Sequence, residues 1–429
     1  MKKFILPLLA ALTLCACSEN RNEILKVYNW SDYIDEEVIT EFEQWYEEQT
    51  GEKVTVIYQT FDVNETMLSK IEKGKEDYDV VCPSDYIIER MLNNDLLLPL
   101  DFEALGQTPN YIDCNRSPYI YEMFKNINPN VNANDYSVAY MWGTTGIIYN
   151  TKYVTEQEAS TWDVIRNKKF SGKILIKDAA RDVFSPVLMY LNADKIASGE
   201  VTIDELMKDS SDESIAAVEA YLSEVSELVC GWEADFGKDQ LTKELAYVSL
   251  NWSGDAVWAI DEAAQMGVEL KYVVPEVGSN VWFDGWVIPK YAKNTKAATF
   301  FINFMCRPDI AIRNMDYTGY VSANGAPEVL ESQIDEELDP IDLSYFFEGA
   351  DSVCVDPVLY PDKAVIERCA LEHDWGEDTD KLIQMWSRVK GSEANMMTVI
   401  VIGLIVLAAV AFFVSRKINA RKRSSRRRR

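Results

Sequence analysis

The chain predicts an α/β body large enough for two lobes, followed by a transmembrane helix. Three observations carry that expectation. Runs with a two-residue apolar period alternate with runs of helical period. Hydrophobic residues make up 48% of the chain and are spread over several hundred residues without a low-complexity linker or an internal repeat, which is enough for two domains. Residues 396–414 carry no charge, and at about 1.5 Å per helical residue they come close to the ~30 Å apolar thickness of a bilayer.

Taken in order, Lys2 and Lys3 precede an apolar run over 4–13, the charged head and short core of a secretory signal peptide assigned to 1–16. Leu14-Cys15-Ala16-Cys17 closes it in the pattern of a bacterial lipobox, which makes Cys17 the lipidated first residue of a lipoprotein and 17–23 its linker; ordinary cleavage nearby is the alternative. Residues 25–28 form a short strand ending in the Asn29 turn. Asp35-Glu36-Glu37 then opens a helix with acids in its first turn, and Val38, Ile39, Phe42, Trp45 and Tyr46 give it one apolar face. Val54, Val56 and Tyr58 alternate as a strand, 64–71 reads as helix, and 78–81 is a buried strand stopped by Pro83. Further on, Ala246, Val248 and Leu250 deliver Trp252, and Gly254 permits a tight turn before a helix through Trp258. In 281–287, Trp282, Asp284 and Trp286 point to one side of a strand. After the apolar segment 396–414, nine basic residues within 415–429 mark the cytoplasmic side, so the body lies outside. The lipid and the helix would then both anchor it to the inner membrane.

Charge and reactive residues narrow the function. Setting aside Lys2, Lys3 and the nine basic residues of the tail takes the net charge from −28 to −39. Such a body repels nucleic acid and concentrates cations, within a screening length of about 8 Å. The tail itself is accounted for by topology and anionic lipid, so no nucleic acid is expected as a partner. Cys82, Cys114, Cys230, Cys306, Cys354 and Cys369 lack zinc-site spacing and the only histidine is His373, so neither a metal nor a cofactor is expected. A Cys354–Cys369 disulfide and free buried thiols are both open.

Three stretches set a ring beside a carboxylate: Asn29-Trp30-Ser31-Asp32-Tyr33, Asn251-Trp252-Ser253-Gly254-Asp255 and Trp282-Phe283-Asp284. That pairing suits an organic ammonium, which the ring attracts through its quadrupole while the acid accepts its N–H bonds. Taken singly, each also fits core aromatic plus solvated acid. In α/β sheets, ligands gather beyond the carboxyl ends of strands, where Trp30 to Tyr33 and Ser84 to Tyr86 fall. Paired acids among rings also describe glycan-acting hydrolases, so an enzyme is the rival reading. A single histidine and no evident nucleophile weigh against it, and no catalytic residue is assigned.

Together with Asn64-Glu65-Thr66-Met67, Tyr78-Asp79-Val80-Val81, Pro83-Ser84 and Tyr140-Met141-Trp142-Gly143, these stretches resemble the spermidine/putrescine-binding proteins of bacterial ABC transporters, from about Leu25 to Lys390. The resemblance implies a two-lobed periplasmic-binding-protein fold with an interlobe ligand cleft: 24–139 and 282–329 in lobe 1, 140–281 and 330–391 in lobe 2. It implies aromatic contacts from Trp30, Tyr33, Tyr86, Trp252, Trp282 and Tyr320, and acidic contacts from Asp32, Asp182, Asp255 and Asp284, with Ser31 and Ser84 in support. Glu372 is a further candidate, with an exposed surface position as its alternative. Ala179 stands where spermidine-preferring members have an acid. Ser31, Asp32, Ala179 and Asp255 look putrescine-like while Tyr86 and Trp282 look spermidine-like, so the preference is open. The implied role is solute capture in the periplasm for permease subunits of an importer, with no enzymatic activity; another solute on the same scaffold is the alternative.

Overall fold

The computed structural model describes residues 20–233 and 237–391. The expected signal peptide, Cys17, span 396–414 and basic tail lie outside those residues. Among the described residues no helix is long and apolar enough to cross a membrane.

The main strands in chain order are β1 (Ile24–Trp30), β2 (Thr55–Phe61), β3 (Val80–Val81), β4 (Leu97–Leu98), β5 (Ser137–Asn150), β6 (Ile174–Lys177), β7 (Val229–Glu233), β8 (Val248–Trp252), β9 (Leu270–Val273) and β10 (Ser279–Pro289). They join in the order β2-β1-β3-β10-β5-β8-β6-β7, with β9 also on β5 and β4 also on β10. β1 runs parallel to β2 and β3, and β6 runs parallel to β7 and β8. Each parallel set is a half of the molecule, and β5 belongs to both. Its first part, from Ser137 to Thr144, pairs antiparallel with β10; its second, from Thr145 to Tyr149, pairs with β8. Both crossing strands are buried almost throughout.

Period-two alternation sends side chains of each strand to opposite cores. In the first half, Tyr28 and Phe283 face a cluster with Ile88, Phe124 and Phe346, while Leu25, Val27 and Trp286 face Val38, Phe42 and Phe301. In the second half, Ile174 and Ile176 face Trp162, Phe184 and Leu222, while Leu175 faces Ala256 and Ala259. The amphipathic helix expected after Asn29 spans Glu37–Thr50 and buries Val38, Phe42 and Tyr46.

Several expectations are corrected. The helix expected over 64–71 ends at Ser69 and continues as a π-turn, Lys70–Gly74. The buried strand expected over 78–81 is reduced to two residues, Val80–Val81, although the Asp79 N–H still donates to the Lys26 carbonyl at 2.9 Å. Cys354 and Cys369 are separate thiols, not bonded to each other. Leu343, Phe346, Phe347, Val355, Tyr360 and Leu371 join the first-half core, although 330–391 was expected in the second lobe. Only the end of that segment, with Trp375, Leu382, Met385 and Trp386, joins the second-half core.

Asp79, fully buried, ties three distant segments. Its Oδ2 accepts from Arg21 and from the Lys26 backbone N–H, each at 2.8 Å, and its Oδ1 accepts from the N–H groups of Lys293 and Asn294 at 2.8 and 2.9 Å. Removing the acid strands several buried donors at once. Asp79→Ala is therefore expected to cost about 3–5 kcal/mol in chemical denaturation, and a change within ~0.5 kcal/mol would contradict this account of the first half.

Candidate functional site

The acids of interest sit where parallel strands end and helices begin. Asp85 opens the helix Asp85–Asn93 soon after β3, Asp182 lies in the first turn of Ala180–Leu191 after β6, and Asp255 lies in the first turn of Ser253–Gln265 after β8. A carboxylate there is favoured by the helix dipole. Asp284 comes instead from the crossing strand β10, at a register shift between Asp284 and Gly285 where β5 carries Tyr140 as an extra residue. The Tyr140 hydroxyl donates to the Tyr33 carbonyl at 2.8 Å, fixing the turn that follows β1.

Asp284 is 7% exposed and held by two neutral donors: the Tyr33 hydroxyl at 2.8 Å and the Ser84 hydroxyl at 2.7 Å. Asn64 donates in turn to the Ser84 and Tyr86 oxygens, at 3.0 and 3.1 Å. Burial pushes the Asp284 carboxyl up to about 7 against those two bonds, and the charge of Asp182 adds to the rise. Asp182, half-buried, accepts from the Trp252 indole N–H and from the Asn280 amide, both at 3.1 Å. Burial raises its pKa too. Among the described residues neither carboxylate forms an ion pair with a lysine or arginine. Asp85 is raised well above the ordinary carboxylate range, chiefly by burial, and accepts from the backbone N–H groups of Tyr86 and Phe283.

Aromatic rings run between the two poles. Trp252 lies edge-on to Trp282 at 6.5 Å, Trp282 to Tyr320 at 5.6 Å, and Tyr320 to Tyr33 at 5.4 Å. Trp30 tilts against Phe61 at 4.5 Å. Two glycines let this wall close: a Cβ at Gly143 would stand 2.6 Å from the Trp282 ring, and one at Gly254 would stand 2.3 Å from the Tyr320 ring. Gly254 thus serves close approach inside a helical turn, where a tight turn before the helix was expected.

Not every expected contact joins this wall. Ser31 and Asp32 are exposed; the Ser31 hydroxyl donates to Asp62 at 2.8 Å, and Asp32 has a left-handed backbone with φ 52°. Asp255 is buried against the chain's own ammonium: Lys177 Nζ lies 2.6 Å from Asp255 Oδ2, 3.7 Å from Glu233 Oε1 and 4.2 Å from the centre of the Trp252 ring. Tyr86 is covered by the Arg181 guanidinium at 4.6 Å, which also lies 3.8 Å from the Glu372 carboxylate. Glu372 is 5% exposed, not a surface residue, and accepts from the Ser185 hydroxyl at 3.1 Å. Burial raises its pKa strongly. His373 has Nδ1 3.1 Å from Glu89. Lys177, Arg181, Asn64 and Asn280 were not among the site contacts expected from sequence. Lys177 and Arg181 flank Ala179 in the segment that bears Asp182, and that adjacency was the available signal.

Two α/β halves joined by shared strands, with acids and rings gathered where the parallel strands of both halves end, define a two-lobed solute receptor. The chain belongs to the bacterial extracellular solute-binding proteins, whose family model matches residues 38–333. It is similar to the spermidine/putrescine-binding periplasmic protein of Escherichia coli strain K12, at 29% identity over 91% of this chain and 99% of the relative. The putrescine-binding periplasmic protein PotF of the same organism is 30% identical over 72% of this chain and 80% of its own length. Among solved structures, the spermidine/putrescine ABC transporter substrate-binding protein PotD from Streptococcus pneumoniae matches with TM-score 0.63 and 29% identity, covering 86% of this chain and 98% of that one.

Proposed function

We propose that this protein is the polyamine-binding component of an ABC importer and holds putrescine or spermidine between its lobes. The carrying observation is the pair of desolvated carboxylates, Asp284 in the first half and Asp182 in the second, each held by neutral donors and separated by rings. Donors such as Tyr33 and Asn280 orient an acid without neutralising it, so its charge is left for a cation. An ammonium group has donors and no acceptor, which matches two acceptor poles. The rings cover the methylene chain and exclude water, strengthening both poles. The names of the relatives support the same ligand class.

In this reading the lobes hinge along β5 and β10, with lobe 1 built on 24–139 and 282–329 and lobe 2 on 140–281. The segment 330–391 is shared, since its apolar residues divide between the two cores. Ligand drives closure only by binding the closed form better, and closure presents a surface to the permease subunits. The protein acts outside the inner membrane, in the periplasm, tethered through lipid at Cys17, through 396–414, or through both. Capture without chemical conversion is its whole task.

Thermal melting of the protein with roughly millimolar putrescine or spermidine tests this. A rise in midpoint that a neutral sugar neither produces nor abolishes is expected. No rise with either polyamine overturns the reading, and sugar release from an oligosaccharide would replace it with the hydrolase.

A further inference from the structure

We propose that Lys177 is a tethered ammonium that occupies one ligand-like pole of the site and so restricts the ligand to a short aliphatic diamine. The inference rests on the polyamine reading above and narrows it.

The contacts of Lys177 are those a bound ammonium would make. Its Nζ is 2.6 Å from the Asp255 carboxylate and 4.2 Å from the centre of the Trp252 ring, an ion pair and a cation–π contact on one group. Those two residues are the pair that the ring-and-acid pattern of the sequence offers to a ligand. Lys177 ends β6, three residues before the helix that carries Asp182, and is 1% exposed. Its charge therefore lies over the ring whose indole N–H bonds to Asp182.

The charge balance of the site follows. Glu233 and Asp255 are both within 4 Å of Lys177, and Glu372 is within 4 Å of Arg181. Asp85 is engaged by two backbone N–H groups. Among the described residues, the hydrogen-bond donors to Asp182 and Asp284 are neutral. Two such acids match two ammonium groups. A triamine would bring a third charge to a pole where Asp255 already faces Lys177, and desolvating it without a partner is costly. Selectivity then comes from repulsion and lack of a partner as much as from attraction.

Titration calorimetry on the full chain and on Lys177→Met, which keeps an apolar stem and drops the charge, tests this. The unaltered protein is expected to bind putrescine at least about tenfold more tightly than spermidine. Lys177→Met is expected to move that ratio toward spermidine by about tenfold or more, because Asp255 becomes available to a third ammonium, while Lys177→Arg keeps the original preference. Equal or tighter spermidine binding by the unaltered protein overturns the proposal even where the variant does not fold. An unmoved ratio in a folded Lys177→Met does the same and leaves the polyamine reading standing. Absence of binding by both amines to the unaltered protein takes down that reading, and this inference with it.

Discussion

Asp284→Asn is expected to weaken putrescine binding by roughly 10- to 150-fold, the factor corresponding to about 1.5–3 kcal/mol for a charge-assisted hydrogen bond. Asparagine preserves the shape of the side chain. Its carbonyl can still accept from one of the Tyr33 and Ser84 hydroxyls, while its amide turns donors toward the other. The charge that faces the ammonium is lost. The same change removes a buried ionised group, so the unliganded protein should melt no lower than the original. That combination separates a binding role from a structural one. Unchanged affinity by calorimetry would detach Asp284 from the site, and a large fall in the unliganded midpoint would assign it to folding.

The second expectation is that affinity declines as pH falls below about 7. A free Asp284 with a pKa near 7 must lose a proton before it can pair with an ammonium. Binding is therefore complete above that pH and weakens by up to about tenfold per unit below it for each proton taken up. Asp182, raised in the same direction by burial, can add to the slope. The sign for folding is opposite. A carboxyl raised above its unfolded value favours the folded state while protonated, so its contribution in the unliganded protein is lost as pH rises from the ordinary carboxylate value of 3.8 through about 7. The ligand-induced rise in melting midpoint should thus grow between about pH 5 and 8, and Asp284→Asn should flatten it. A pH-independent affinity across that range, measured while the amines stay protonated, would contradict the electrostatic account.

Much of this was legible in the sequence because it is local. Alternation in 25–28 and 281–287 places Tyr28 and Phe283 against one core and Val27 and Trp286 against the other. A two-residue period needs no knowledge of the fold. Trp282 and Asp284 were legible for the same reason, as ring and acid stand two residues apart on one strand. What was hidden depends on contacts between distant segments. The Lys177–Asp255 pair joins residues 78 apart, a pairing that local spacing does not reveal. Without it, Asp255 reads as a ligand contact.

The placement of the segment after residue 330 was hidden for a related reason. Leu343, Phe346 and Tyr360 are apolar enough for either core, and only the docked structure puts them beside Trp142 and Phe283. Gly254 misled in another way. A glycine ahead of a helix reads as a turn, whereas its role is to admit the Tyr320 ring at a distance that no Cβ allows. Ser31 and Asp32 follow β1 as expected and are exposed, Asp32 with the left-handed φ of 52° that a short polar side chain tolerates.

The most direct measurement is a crystal structure of the protein with putrescine. One ammonium is expected within about 3 Å of Asp284 and the other within the same reach of Asp182. The methylenes should lie against Trp282 and Tyr320, with Lys177 still on Asp255. A diamine bound elsewhere, or one whose nitrogens avoid both carboxylates, would contradict the account.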